Sequence, residues 1–178
     1  MTGGFASRKA GTMVEFESLL EKDHLILLEF DNSVATFDAQ PVRIPVLGIR
    51  NGYVPDVLIY FNPEVECRSA PDPLLVEVKA AADLKRNEKK YAPKFAAASR
   101  FAAERGWRFE IRDEALIRTP RLANLKFLRE YRNVHPDPGQ IQQVLDWIGN
   151  SQTSSTAILN GLARTDEAKL DSEIWTVG

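Results

Sequence analysis

Three side chains in the first half of the sequence have the types and spacing of a hydrolytic metal site. Asp56 precedes one apolar run, and Glu77 and Lys79 close the next one, 21 residues further along the chain. Because side chains alternate across a strand, we expect Glu77 and Lys79 on one face, and Val76 and Val78 in the core on the other. If the two strands are neighbours, Asp56 faces the same polar cleft.

Acids placed in this way favour a divalent cation. Two carboxylates at one spot repel each other and are hard to desolvate, and Mg²⁺ relieves this because it prefers oxygen ligands. Such an ion activates a water molecule and neutralises charge on a phosphate oxygen. The amine of Lys79 can hold or deprotonate the attacking water and stabilise the developing negative charge. The pattern is therefore suited to hydrolysis of a phosphodiester bond.

A fourth carboxylate, Glu21, lies at the margin of the apolar arc of the first predicted helix. An acid at such an edge is commonly partnered or functional. Structural interpretations stay open: Glu77 and Lys79 as a surface ion pair, Asp56 as a turn cap, and Glu21 as an exposed or salt-bridged residue. On the apolar side of the same helix, we expect His24 to be a semi-buried histidine with satisfied hydrogen bonds rather than a ligand.

The elements that must position these residues follow from hydrophobic periodicity and turn chemistry. Helical spacing predicts a first helix over residues 13–28, after a flexible N-terminus over residues 1–12. Asn51-Gly52 is the strongest hairpin-turn signal, and Pro93 favours a new helix start. Strands before and after an Ala-rich helix predict an α/β fold with a mixed central sheet flanked by helices. Strands are expected over residues 34–37, 41–47, 53–61, 74–79 and 107–112, and further helices over residues 83–90, 93–106 and 121–131.

A break over residues 134–139 separates a main domain, residues 13–134, from a short C-terminal element, residues 135–178. Helices are expected in that element over residues 140–148 and 153–162. Their spacing resembles a helix-turn-helix. Because about 40 residues bury little on their own, we expect this element to lean on the main domain or on a partner.

Composition limits the class of protein. The chain has 178 residues, of which 44% are apolar and 27% charged, as in an ordinary folded chain. The single cysteine, Cys67, excludes an internal disulfide and a cysteine-rich zinc site and fits a reducing compartment. No apolar run reaches the ~18–20 residues of a membrane span, and the first residues lack the apolar core of a secretory signal. We therefore expect a cytoplasmic protein without membrane contact.

The net charge of −2 hides a positive middle third. Residues 79–132 contain 15 basic and 7 acidic side chains, whereas both flanking parts are net negative. Such a region can attract polyanions, although a solvated helical face has the same composition. The candidate DNA-binding side chains directly follow the proposed site: Lys85, Arg86, Lys89, Lys90 and Lys94.

Together these residues resemble a known family. Asp56, Glu77 and Lys79, with Pro55 before them and Val78 between the last two, match the PD-(D/E)xK signature of the restriction-endonuclease-like fold. The stretch "SLLEKDHLILLEFDNSVATFDAQP" resembles the N-terminal catalytic domain of TnsA, the endonuclease subunit of Tn7-like heteromeric transposases. The resemblance continues through "GYVPDVLIYF", "LLVEVKAAADL" and "ALIRTPRLANLKFLREY".

The resemblance implies a catalytic site and a cofactor. Glu21, Asp56, Glu77 and Lys79 would be catalytic, the three acids would bind Mg²⁺ or Mn²⁺, and the backbone carbonyl of Val78 would be a further ligand. It also implies a restriction-endonuclease-like core with a winged-helix-like C-terminal extension, which is shortened in this sequence.

The resemblance also implies an activity and partners. The chain would cleave the 5′ ends of a transposon in the bacterial cytoplasm, nucleoid-associated during transposition. Its partners would be DNA, a DDE-type transposase subunit that joins the 3′ ends, and an AAA+ ATPase regulator. Two alternatives remain: a stand-alone restriction-like or resolvase-like nuclease, and a catalytically idle docking module between transposase and ATPase.

Overall fold

A computed structural model describes residues 2–63, 72–131, 134–135 and 137–150. The chain divides into two compact units, Met1–Tyr131 and Arg132–Gly178. Cys67 and the helix expected over residues 153–162 lie outside the described residues. The strands are β1 Gly3–Ala6, β2 Met13–Phe16, β3 Val34–Ala39, β4 Ile44–Val46, β5 Ile49–Tyr53, β6 Val57–Phe61, β7 Leu74–Val78 and β8 Arg108–Arg112. The helices are α1 Leu19–Phe30, α2 Ala81–Arg86, α3 Glu88–Ala103, α4 Glu114–Ile117, α5 Pro120–Glu130 and α6 Pro138–Asn150.

A mixed four-stranded sheet forms the centre of the first unit, which confirms the predicted α/β class. Its strand order is β3-β6-β7-β8, with β3, β6 and β7 antiparallel and β7 and β8 parallel. Parallel neighbours need a crossover connection, and helices α2 and α3 lie in the chain between β7 and β8. Helices α2 and α3 thus form the crossover connection between the two parallel strands.

The two faces of the sheet pack against different elements because side chains alternate along each strand. Val76 and Val78 belong to a core that also includes apolar residues of α1, α4 and α5. Leu75 of the same strand belongs to a second core, formed with α3 and the β4–β5 hairpin. All five residues of β7 are buried, so Glu77 lies inside the protein on the α3 side.

The first helix begins later than the periodicity predicted. Residues 13–16 form β2, and α1 starts at Leu19 after the N-cap Ser18. Ser18 Oγ accepts a hydrogen bond from the Glu21 N–H and donates one to Glu21 Oε1 (3.1 and 2.8 Å), so the two residues form a capping box. The prediction of a helix over residues 13–28 is therefore wrong at its start, because cap chemistry outweighs apolar spacing there.

The N-terminal residues are ordered, contrary to the expectation of a flexible segment over residues 1–12. Strand β1 pairs antiparallel with β2, and Phe5 is 0% exposed within the core of α1, α4 and α5. The guanidinium of Arg129 on α5 lies 4.4 Å from the Phe5 ring centroid. The burial of the Phe5 ring therefore holds the N-terminal segment in place, although its glycines suggested mobility.

Two local turn signals were also misplaced. Asn51-Gly52 lies within β5, and the hairpin turn occurs at Leu47-Gly48, where Gly48 has a φ of +79°. Pro93 lies inside α3 rather than at its start. The ring centroids of Tyr91 and Phe95, on either side of Pro93 in the sequence, lie 5.4 Å apart. This stacking stabilises the helix across the proline.

Buried polar groups on α1 tie the helices to one another. Asp23 is buried and accepts from Arg118 Nε at 3.0 Å and from Lys126 Nζ at 2.6 Å. His24 is fully buried, and neither of its ring nitrogens has a hydrogen-bond partner among the described residues. Burial, with a smaller effect of the Arg112 charge, lowers the pKa of His24 to about 3, so this histidine is neutral. The expectation of a semi-buried, hydrogen-bonded histidine is wrong.

The described part of the second unit contains α6, which confirms the helix predicted over residues 140–148. Ile141, Leu145 and Ile148 are exposed along it. The winged-helix-like character of this element depends on residues 151–178, outside the described residues. Among the described helices, none has the length and apolar character that a membrane crossing requires.

Replacing Phe5 by Ala tests whether the N-terminal hairpin is part of the core. We expect Phe5→Ala to lower the free energy of unfolding by roughly 3 to 5 kcal/mol, because it removes a fully buried aromatic ring. Met13→Ala is the control, since Met13 on the partner strand is 62% exposed. Urea denaturation measures both, and equal, small effects would contradict the buried position of Phe5.

Candidate active site

The register of two strands brings the two predicted acids together. Val57 pairs with Val76 and Leu58 with Leu75, so extending the antiparallel ladder by one residue places Asp56 opposite Glu77. The N–H of Asp56 donates to the carbonyl of Val76 at 3.1 Å, one residue out of this register, so the ladder is irregular at Asp56 but still holds its backbone against β7. The prediction that the strands are neighbours is confirmed.

Glu77 is held in a buried polar cluster. Only 3% of the residue is exposed, so it is not part of a surface ion pair. The hydroxyl of Tyr53 donates to Glu77 Oε2 at 2.6 Å, and Lys79 Nζ lies 3.2 Å from Glu77 Oε1. Each carboxylate oxygen thus has one neighbour that compensates its negative charge.

Asp56 is fixed by the backbone of the neighbouring strand. Its Oδ2 accepts from the Val78 N–H at 2.6 Å. Burial raises the pKa of Asp56 to about 8, and the charge of Glu77 acts in the same direction. The hydrogen bond from Val78 and the charge of Lys79 act against this increase without cancelling it. Asp56 is therefore largely protonated at neutral pH in the metal-free protein.

Two further groups of the cluster, Lys79 and Tyr53, are in their protonated forms near neutral pH. Burial favours the neutral amine of Lys79, but the charges of Glu77 and Asp56 outweigh it and raise the pKa of Lys79. Burial and then the charge of Glu77 raise the pKa of Tyr53. Lys79 is accordingly an ammonium donor, and Tyr53 is a neutral phenol that donates to Glu77.

Glu21 lies near these acids but is engaged in the cap of α1. Its Oε2 accepts from the Glu17 N–H at 2.8 Å, while Oε1 accepts from Ser18. Its negative charge contributes to the raised pKa of Asp56, so the two carboxylates are within electrostatic range. A structural role in the cap is therefore visible, and a role in metal binding requires Oε1 or Oε2 to exchange partners.

Gln40 supports the strand that carries Asp56. It has a φ of +47°, in the left-handed region that residues other than glycine seldom adopt. Its N–H donates to the Asp56 carbonyl at 2.8 Å, and its side-chain amide donates to Glu17 Oε1 at 3.2 Å. This strained residue thus links the α1 cap to the strand of Asp56.

The predicted DNA-binding cations fall into two groups. Lys94 lies 5.9 Å from the Tyr53 ring centroid and 6.0 Å from that of Tyr91, and Lys90 lies 5.7 Å from the Tyr91 ring. These two lysines are therefore beside the acidic cluster. The other three are exposed on α2 and the first turn of α3: Lys85, Arg86 and Lys89.

Sequence reasoning missed the tyrosines of the site. Tyr53 was expected only as a strand residue, and Tyr91 was assigned no role. The Tyr91 hydroxyl donates to Asp83 Oδ2 at 2.6 Å, and the charge of Lys79 acts on both groups. In the sequence, the one sign that Tyr53 belongs to the site is its position three residues before Asp56. Its contact with Glu77 could not be predicted, because it depends on a hairpin that folds back over the sheet.

The donor set suits a hard divalent cation. No group of three or more His, Cys, Asp or Glu side chains close enough to hold a metal occurs within the described residues. Mg²⁺ commonly uses one or two carboxylates together with water molecules, and Asp56 and Glu77 supply two. Burial, and then the charge of Glu77, raise the pKa of Asp56, and a cation bound at this pair would act in the opposite direction.

Comparison with known proteins identifies the part of the chain that contains this cluster. Residues 31–114 match the family described as TnsA-like endonuclease N terminal. This part of the chain is similar to that family. The match includes Asp56, Glu77 and Lys79, whereas Glu21 precedes it. A search of the curated proteins finds no match.

The raised pKa of Asp56 predicts a pH-dependent stability of the metal-free TnsA-like chain. When a carboxyl has a higher pKa in the folded protein than in the unfolded chain, the free energy of unfolding falls as the pH rises from the unfolded-state pKa to the folded-state pKa. Between pH 7.5 and 8, where His24 is largely neutral in both the folded and the unfolded state, we expect a fall of at most about 1.4 kcal/mol per pH unit.

Asp56→Asn is the matched control, because its side-chain oxygen can still accept from Val78 while its charge is absent. We expect the fall in stability to disappear in this variant. Urea denaturation in EDTA at several pH values measures both proteins, and the same slope in both would contradict the assignment.

Proposed function

We propose that this chain is the metal-dependent DNA endonuclease subunit of a Tn7-like heteromeric transposase and cleaves the 5′ ends of the transposon. The observation that carries the proposal is the cluster of Asp56, Glu77 and Lys79 on adjacent strands, within the region that matches the TnsA-like endonuclease family. A buried acid pair beside an ammonium group suits phosphodiester hydrolysis better than it suits a structural core.

Asp56 and Glu77 would hold Mg²⁺ or Mn²⁺, with the carbonyl of Val78 as a further ligand. The bound ion would activate water and neutralise charge on the phosphate. The Val78 N–H fixes one oxygen of Asp56, so the carboxylate is oriented before any ion binds. Tyr53 does the same for Glu77 by donating to Oε2. Both acids are therefore pre-organised by groups that carry no positive charge.

Lys79 would act as a hydrogen-bond donor rather than as a base. Its pKa is raised, so it carries a proton at neutral pH. From this position its ammonium group can orient the attacking water and stabilise the negative charge that develops on the phosphate oxygens. In the reaction, the water oxygen would bond to phosphorus and the bond to the leaving sugar oxygen would break. The proton of the attacking water would pass to solvent, and the leaving sugar oxygen would take up a proton from solvent to form a hydroxyl.

The basic side chains of α2 and α3 would contact the DNA backbone around this centre. Lys90 and Lys94, beside the two tyrosines of the site, are placed to contact phosphates next to the scissile bond. The more exposed cations Lys85, Arg86 and Lys89 would contact phosphates further away. Partners would be a DDE-type transposase subunit and an AAA+ ATPase regulator, with the C-terminal element, residues 135–178, as a protein-docking element.

Cleavage by site variants tests the proposal. With the cognate transposase subunit and Mg²⁺, we expect Asp56→Asn and Lys79→Ala to lower the rate of 5′ nicking at least ~100-fold, as expected for removal of a group that acts on the reacting water. Gel analysis of end-labelled DNA measures nicking. Glu104→Gln is the control, because this exposed acid pairs only loosely, at 3.9 Å, with the neighbouring Arg105.

The same experiment separates the alternatives. Nicking by both variants at the wild-type rate would overturn the proposed site. Cleavage by the purified wild-type chain alone would indicate a stand-alone nuclease. Absence of Mn²⁺ binding in calorimetry, together with absence of cleavage, would indicate an idle docking module.

Glu21→Gln tests whether Glu21 has a role beyond the helix cap. Glutamine preserves a capping box, so we expect the free energy of unfolding to change by less than about 0.5 kcal/mol. If Glu21 also binds the metal, nicking decreases at least tenfold and Mn²⁺ binding in calorimetry weakens. Unchanged nicking and unchanged Mn²⁺ binding would restrict Glu21 to the cap.

A further inference from the structure

The β4–β5 hairpin presents an exposed tip that the proposed catalytic cluster does not use. Leu47 at the turn is fully exposed, and it is followed by Gly48 in the left-handed region. Arg43 on one strand and Arg50 on the other are exposed as well. The sequence contains no acidic residue between Gln40 and Asp56, so the whole hairpin carries a charge of +2.

The inner side of this hairpin is anchored firmly. Ile44, Val46 and Tyr53 are buried in the core that includes the alanines of α3. Gly52 has a φ of +64°, and a Cβ at this position would lie 2.5 Å from the carbonyl oxygen of Ile44. Only glycine permits this close crossing of the two strands. The hairpin is therefore a built part of the fold and not a loose loop.

The same hairpin is joined directly to the acidic cluster. Tyr53, its last residue, donates to Glu77 at 2.6 Å. Six residues of chain separate Tyr53 from Leu47, at most roughly 20 Å at ~3.3 Å per residue of a strand. At ~3.4 Å per base pair, this reach corresponds to about six base pairs of DNA. The tip thus lies within one turn of duplex from the cluster.

The chemistry of the tip matches one kind of partner. Arg43 donates to the carbonyl of Asn51 at 2.7 Å, which holds its guanidinium at the opposite strand of the hairpin. The groove along the hairpin, about 840 Å³ in volume, is lined by Arg43, Leu47 and Arg50 among others. Neither guanidinium group is ion-paired with an acid among the described residues, and such groups complement phosphates. An exposed leucine between them is the type of apolar wedge that enters the minor groove of DNA.

We propose that the β4–β5 hairpin is a duplex-DNA contact, in which Arg43 and Arg50 bind phosphates and Leu47 enters the minor groove within about six base pairs of the scissile bond. This inference rests on the proposed function for the position of the scissile bond. The hairpin reads no base sequence by hydrogen bonding. It fixes the duplex at a second point, so that the strand to be cut is held at Glu77 and Asp56.

Binding of a duplex by hairpin variants of the full chain tests this role. The probe is a 30-base-pair duplex of mixed sequence with a donor and an acceptor dye at its ends, in EDTA. For Arg50→Gln we expect the slope of log affinity against log salt to decrease by about 0.9, the effect of one lost phosphate contact. Arg50→Lys keeps the charge and should keep the slope.

Leu47→Ser should weaken binding at least threefold without changing the salt slope. It should also abolish the increase in energy transfer that reports bending of the duplex by a wedge. Leu116→Ser is the control, because Leu116 is an exposed leucine on α4. Failure of the wild-type chain to bind the duplex at low salt, or wild-type binding by Arg50→Gln and Leu47→Ser, overturns the inference. The second result would indicate a protein partner at the hairpin.

The assay distinguishes this inference from the proposed function. Because binding is measured without a divalent ion, it does not depend on hydrolysis. If the wild type nicks DNA and the hairpin variants bind normally, the hairpin inference alone fails. If the variants bind weakly and the wild type hydrolyses no DNA with its partner subunit, the proposed function alone fails.

Discussion

The antiparallel register between β6 and β7 is the constraint on which the site depends. It sets Asp56 opposite Glu77, and two backbone hydrogen bonds hold it there: Asp56 N–H to the Val76 carbonyl and Val78 N–H to Asp56 Oδ2. A shift of one residue would turn Glu77 into the α1 core and the valines toward α3. The apolar core therefore enforces the polar geometry, because burying Val76 and Val78 fixes where the acids point.

The electrostatics of the cluster follow from this placement. Two carboxylates share a buried position with one ammonium group, Lys79, so the pKa of Asp56 is raised to about 8 and that of Lys79 is raised as well. Such an arrangement lowers stability unless a further positive charge arrives. The fold tolerates it because apolar residues on both faces of the sheet stabilise the strands that carry these groups. Stored electrostatic strain of this kind is characteristic of functional sites.

Several residues that support the site are not part of its sequence motif, so motif analysis does not find them. Gln40 adopts a positive φ and donates to the Asp56 carbonyl, and Tyr53 reaches Glu77 from a hairpin that folds across α3. Both interactions depend on the path of the chain between β3 and β6. The capping box of Ser18 and Glu21 extends the same support to the end of α1, since Glu17 there bonds both Glu21 and Gln40.

The sequence by itself determined the α/β class, the strands that carry Asp56 and Glu77, and the side of the sheet on which they lie, because two-residue alternation is a local property. It did not determine the order of Phe5, the start of α1 or the hairpin turn at Leu47, since each depends on what packs against the segment. Only the tertiary structure decided that Tyr53 bonds Glu77 and that Glu21 is engaged in a cap. Contacts between residues that are distant along the chain set these positions, and local sequence patterns do not predict such contacts.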